Sequence, residues 1–156
     1  MHRCLYLLSA LVLCGYLSIA WADDKDNDKD KVTAEDKKFE GVWKVTAMEA
    51  GGQKMEEDNF ADMTFEFKGK KYWQKNGDDL MEAGTQDLDP SKTPKLMDIN
   101  VTDGQTKGQK QLAIYEIDGD KLKICAANHG DKERPTKFST QAGTRQLYFE
   151  LKRKRK

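Results

Sequence analysis

From residue 39 onward, hydrophobic positions recur at every second residue. Trp43, Val45 and Ala47 alternate with Lys44 and Thr46, and Met63, Phe65 and Phe67 alternate with Thr64, Glu66 and Lys68. Leu122 and Ile124 alternate with Lys121 and Lys123, and Leu147, Phe149 and Leu151 with Tyr148, Glu150 and Lys152. Successive side chains of a strand point to opposite faces, so each run reads as a strand with one buried and one wet face. Gly51-Gly52, Gly69-Lys70, Asn76-Gly77 and Asp118-Gly119 separate the runs; the last is the strongest hairpin signal, because its residues accept the positive φ of a tight turn. A longer loop follows at Asp89-Pro90-Ser91 to Pro94, and residues 128–143 are poor in pattern. Only 56–61 reads as a helical turn. The count is about eight or nine short strands with short connections, which predicts an all-β fold, an up-and-down antiparallel barrel or a sandwich. A closed barrel is favoured, because hairpins suffice for every connection and closure leaves no exposed edge.

The N-terminus breaks this pattern. His2 and Arg3 precede an apolar stretch over 5–20, and Ala20-Trp21-Ala22 supplies the small-x-small motif of a cleavage site. The stretch is shorter than the ~20 apolar residues of a spanning helix and includes Cys14, Gly15, Tyr16 and Ser18. Residues 1–22 are therefore read as a signal peptide rather than an anchor. Leu13 before Cys14 argues against lipid attachment. Residues 23–38 carry seven acids and five lysines in DDKDNDKDKVTAEDKK, too few apolar groups to offset ordering entropy, and read as a charged flexible tether. The alternating Asp24, Asp26, Asp28 and Asp30 lack the turn glycine and terminal glutamate of an EF-hand loop. The folded domain spans 39–156.

Export changes the cysteine count. Cys4 and Cys14 leave with the signal peptide, so only Cys125 remains and no internal disulfide can form. Its simplest reading is a small buried hydrophobe. All 27 acidic residues lie beyond residue 22, as do 26 of the 27 basic ones, so the exported chain is nearly neutral. That balance disfavours a nucleic-acid binder. The basic tail 152–156 reads as a solvated terminus with only Arg153 engaged.

Phe39-Glu40-Gly41-Val42-Trp43 together with Arg153, in phase with Leu147, Phe149 and Leu151, resembles the lipocalin signature, in which the tryptophan closes one barrel end and a basic residue of the last strand packs across it. More specifically, the chain resembles a family of small lipocalin-like domains abundant in planctomycete bacteria, often found behind a signal peptide. The resemblance is carried by Gly41-Val42-Trp43-Lys44-Val45, Leu88-Asp89-Pro90-Ser91-Lys92 through Pro94-Lys95, Ile114-Tyr115-Glu116-Ile117-Asp118-Gly119-Asp120, Leu122 to Cys125, and Arg134-Pro135-Thr136-Lys137-Phe138-Ser139-Thr140. It spans about residues 39–153 and implies a lipocalin-like barrel and an exported location. It implies no activity and carries over no catalytic residue.

Reactive constellations are scarce. His129, in Asn128-His129-Gly130, reads as a solvated turn residue, and Cys125 is out of phase for a Cys–His dyad. Asp98 and Glu116 read as wet-face acids. Gly104-Gln105-Thr106-Lys107-Gly108 lacks the spacing of a phosphate cradle, and the sequon at Asn100-Val101-Thr102 carries little weight. No catalytic residue, metal site or cofactor is expected, and the chain is not read as an enzyme. The candidate ligand-binding lining is Phe65, Phe67, Tyr72, Trp73, Ile99, Ile114, Tyr115 and Phe149, with Gly41, Trp43 and Arg153 as structural signature. The functional expectation is a periplasmic or secreted, monomeric binding module holding a small apolar or amphiphilic ligand. The alternative is a non-catalytic structural or protein-interaction domain with a filled core and an envelope protein as partner. No nucleic acid and no stable membrane insertion after cleavage are expected.

Overall fold

The computed structural model describes residues 31–155; the expected signal peptide, 1–22, and the first half of the expected tether, 23–30, lie outside the described residues. Nine strands follow in chain order: β1 (Gly41–Ala50), β2 (Gln53–Lys54), β3 (Met63–Lys68), β4 (Lys71–Asn76), β5 (Asp79–Asp89), β6 (Lys95–Gly104), β7 (Lys110–Asp118), β8 (Lys121–Ala126) and β9 (Leu147–Arg153). Each pairs antiparallel with its neighbour, apart from the two-residue β2, which only extends the end of β1. Pairing of β1 with β9, from Trp43 opposite Arg153 to Ala50 opposite Leu147, closes the sheet into an eight-stranded barrel of lipocalin-like topology. Bulges at Val45/Ala47, Gln74/Lys75 and Ala83/Gly84 interrupt the ladders. Such bulges bend strands and sharpen their twist, which closure needs. The turn at 56–61 contains a 3₁₀ segment, Glu57–Asn59.

The second half of the expected tether is ordered. Residues Ala34–Phe39 form helix α1, started by a capping box in which the Asp36 amide donates to Thr33 Oγ1 and the Thr33 amide donates to Asp36 Oδ2. Hydropathy counting overlooks such reciprocal hydrogen bonds, which satisfy helix N–H groups without apolar residues. The apolar contribution comes from Phe39, fully buried across Phe67 and Tyr115 at ring-centroid distances of 5.3 and 5.1 Å. Glu35 is tied down by Lys95 Nζ at 2.9 Å and by the Tyr115 hydroxyl at 3.1 Å.

Trp43 and Arg153 meet as the lipocalin resemblance implies. The guanidinium lies 4.1 Å from the indole ring centre, and the Trp43 Nε1–H donates to the Phe39 carbonyl at 2.7 Å. Arg153 also donates to the carbonyls of Lys38 (2.7 Å) and Glu40. Gly41, at φ +117, keeps this corner free of side chain: a Cβ there would lie 3.4 Å from Arg153 Nη1, on a backbone that L-residues rarely adopt. Helix α1, Trp43 and Arg153 together plug one barrel end.

The main core fills the barrel with Trp43, Phe65, Phe67, Tyr115 and Phe149 among its largest members. A second core lies outside. Leu96, Ile114, Cys125 and Tyr148 are successive cross-strand partners on β6 to β9, and Phe138 of the long segment after β8 packs on them. Arg134 pins that segment, donating to the carbonyls of Met97 (2.9 Å) and Ala113 (2.6 Å) and to the Asp98 carboxylate.

Two predictions follow from these anchors. Arg153→Ala removes a cation–π contact worth ~0.5–2 kcal/mol and two backbone hydrogen bonds worth ~1 kcal/mol each, so urea unfolding is expected to show about 2.5–4 kcal/mol lost at unchanged m-value. Arg153→Lys recovers less than half, lacking the two-pronged fork. Asp98, though pushed up by partial burial, is held below its ordinary value by Arg134 and Lys110. A carboxylate lowered in the folded state stabilises above its unfolded pKa of about 3.9, and that stability is lost as pH falls through the folded value. Stability measured in urea is therefore expected to fall between about pH 5 and pH 2, with a flatter acid limb in Arg134→Met.

Candidate functional site

The interior is polarised along the barrel axis. Near the plug it is aromatic, with Phe39, Phe67 and Tyr115. Towards the other end the inward positions turn polar: Gln74 on β4, Glu82 and Gln86 on β5, and Gln111 on β7, joined by His129 just past β8. These five residues and Phe65, Phe67, Tyr72, Met97, Ile99, Ile124 and Phe149 line a cavity of about 40 Å³. At ~10–15 Å³ per water centre, that space holds about three waters, against ~300–1,000 Å³ for a site taking a drug-sized molecule.

Of the sequence-predicted lining, Phe65, Phe67, Tyr72, Ile99 and Phe149 meet at this cavity. Tyr115 also faces inward but sits at the plug, bonded to Glu35. Trp73 and Ile114 do not reach the interior. Trp73 alternates with inward Tyr72 and Gln74 and lies half-buried on the outer wall beside Gly84 and Thr102. Ile114 belongs to the outer core, because Ala113 and Tyr115 take the inward positions on either side. The run Ala113-Ile114-Tyr115 is apolar throughout, so alternation gives no phase there.

His129 corrects a second expectation. It is no solvated turn residue: its Nε2 lies 2.8 Å from Glu82 Oε2, out of line for a hydrogen bond. Glu82 is the hub of this end. Its Oε1 accepts from the Tyr72 hydroxyl and its Oε2 from the Thr106 hydroxyl, both at 2.7 Å. Burial, and then the adjoining carboxylate, push the Tyr72 phenol far up, so it stays a donor at any physiological pH. Gly84, between Glu82 and Gln86, leaves the space that the Tyr72 ring fills; a Cβ there would lie 2.8 Å from Tyr72 Cε1 and collide with the Asn100 carbonyl.

Gln86 differs from its neighbours. Gln111 Nε2 donates to the Ala127 carbonyl at 2.8 Å, and Gln74 Nε2 makes a long contact to Met63 Sδ at 3.6 Å. Gln86 is 1 % exposed, yet neither its Nε2 nor its Oε1 has a hydrogen-bond partner. Each buried polar atom left unpaired costs ~1–3 kcal/mol. Sequence reading missed Glu82, Gln86, Gln74 and Gln111 because it followed apolar alternation. The available signal was positional: Glu82, Gly84, Gln86 and Leu88 share one face of β5, opposite Asp87.

The remaining reactive groups are engaged elsewhere. Asp98 is paired with Arg134 and Lys110, Glu116 faces solvent beside Lys123, and Cys125 lies in the outer core. Among the described residues no group of three or more His, Cys, Asp or Glu side chains is placed to hold a metal ion. No family model, curated protein or solved structure matches the chain.

Cys125 is fully buried under the long segment, with Sγ 3.7 Å from the Ser139 carbonyl, and burial pushes its thiol up to about 11. The thiolate is the reacting species. Labelling with a disulfide reagent at pH 8 is therefore expected to be slow in the native protein and immediate after unfolding in urea. Cys125→Ala should cost about 1 kcal/mol, as a small core truncation does.

Proposed function

We propose that the chain is an exported, non-catalytic, lipocalin-like binding module that takes a small amphiphilic molecule into the unplugged end of its barrel. The observation that carries this reading is the asymmetry of the interior. One end is stoppered by Phe39, Trp43 and Arg153, while the other keeps a cavity with an aromatic floor and a polar wall. Apolar surroundings with a few convergent polar groups are the usual composition of a small-molecule site. The likeness to small lipocalin-like domains of planctomycete bacteria supports the same reading. So does the engagement of Glu82, Asp98 and Cys125 in structural contacts.

Export rests on residues 1–22, on Ala20-Trp21-Ala22, and on a remaining chain with a single cysteine. Its test is the N-terminal sequence of the protein recovered from the cell envelope or medium, expected to begin at Asp23.

The size of the cavity favours a second reading, a structural or interaction domain with a filled core. About 40 Å³ admits only the end of a ligand without rearrangement. Organic extraction of the purified protein, with mass spectrometry of the extract, and amide NMR titration with short-chain alcohols, acids and amides separate the two. Binding predicts either a co-purified molecule or saturable shifts centred on Phe65, Ile99, Phe149 and His129. Neither extract nor shifts there would leave the filled domain as the function.

A further inference from the structure

We infer that the group recognised inside the barrel is an uncharged amide, a terminal carboxamide or urea, paired head to head with Gln86; this rests on the binding reading above. Three observations select that chemistry. Gln86 is buried at the cavity wall, with both its donor and its acceptor unused. Its complement is a group that offers one of each, and a second planar amide does so through two antiparallel N–H···O bonds.

Neighbouring groups exclude charge. Glu82 holds a carboxylate at the same cavity, and an anionic ligand head would face it across a low-dielectric interior. A cationic head would be drawn to that carboxylate, but it supplies no acceptor for Gln86 Nε2 and would leave that atom unpaired. Size agrees. A cavity of about 40 Å³ suits a group of roughly three or four heavy atoms, as in a terminal carboxamide, with any longer tail passing towards Leu147 and His129. Gln111 Nε2 already donates one hydrogen to the Ala127 carbonyl, whereas Gln86 has neither atom engaged.

The test uses hexanamide, hexanoate, hexylamine and hexanol as probes of equal chain length, titrated against the purified protein and followed by amide NMR, including the glutamine side-chain NH₂ signals. The expected result is hexanamide binding at least about tenfold more tightly than the other three, with the Gln86 NH₂ pair shifting at saturation. Gln86→Leu keeps the shape of the wall and should remove that preference while hexanol still binds; Gln86→Met serves as a second apolar variant if Leu packs poorly. Equal binding of all four probes, unaltered in both variants, overturns the amide assignment and leaves the binding reading standing. Failure of every probe to bind, with Gln86 bonded only to ordered water in a high-resolution crystal structure, overturns both.

Discussion

The Arg153 guanidinium, stacked on Trp43 and hydrogen-bonded to Lys38 and Glu40, is the contact on which the rest of this barrel depends. It joins three separate parts of the chain at one point: the first strand, the last strand and the end of α1. A sheet becomes a barrel only where its first and last strands pair, and that seam is the most distant pairing in sequence, with the largest loop entropy to overcome. The stack holds the seam at its end, while the carbonyls it gathers fix Phe39 over the opening. Closure and stoppering are therefore one event. Without it, β1 and β9 would be ordinary sheet edges with unpaired backbone groups.

The polar wall at the other end follows from the same economy of space. With one end filled by Trp43, Phe39 and Tyr115, the main core is complete without contributions from Glu82, Gln86 or Gln111. Polar residues at inward positions are tolerated there because the barrel wall supplies partners: a hydroxyl from β4, another from the β6–β7 turn, a carbonyl from the chain after β8. Gln86 is the exception. Local rules of packing and hydrogen bonding are most often broken at functional positions, which makes an unpaired buried amide informative where a paired one would not be.

Most of the architecture could be read from alternation. Trp43/Val45, Phe65/Phe67, Leu122/Ile124 and Phe149/Leu151 all face inward, and the glycine-bearing hairpins fall at 69, 77 and 119. Three features were illegible for physical reasons. Residues 34–38 are stabilised by capping hydrogen bonds and ion pairs, which leave no mark in hydropathy. Ile114 is buried on the outer face, since a long irregular segment covers strands that a simple barrel would leave wet. The polar wall lies on positions where alternation predicts apolar residues, so a search for hydrophobic lining passes over it. Five of the eight expected lining residues meet at the cavity because their strands alternate cleanly; Trp73 and Ile114 miss it because apolar neighbours hide the phase.

The outer row Leu96, Ile114, Cys125 and Tyr148 has a mechanical consequence. Under its covering segment, the arc from β6 to β9 is a three-layer laminate, apolar on both faces. The arc through β4 and the start of β5 is a single ply, interrupted by two bulges and ending in exposed Leu80 and Met81. Regions with fewer buried contacts open at lower free energy. The barrel is thus stiff on one side and compliant on the other, and Gln86 stands where the compliant side meets the cavity. Any widening of that interior is directed by how the wall is layered, so the long segment, though remote from the cavity, decides which strands give way.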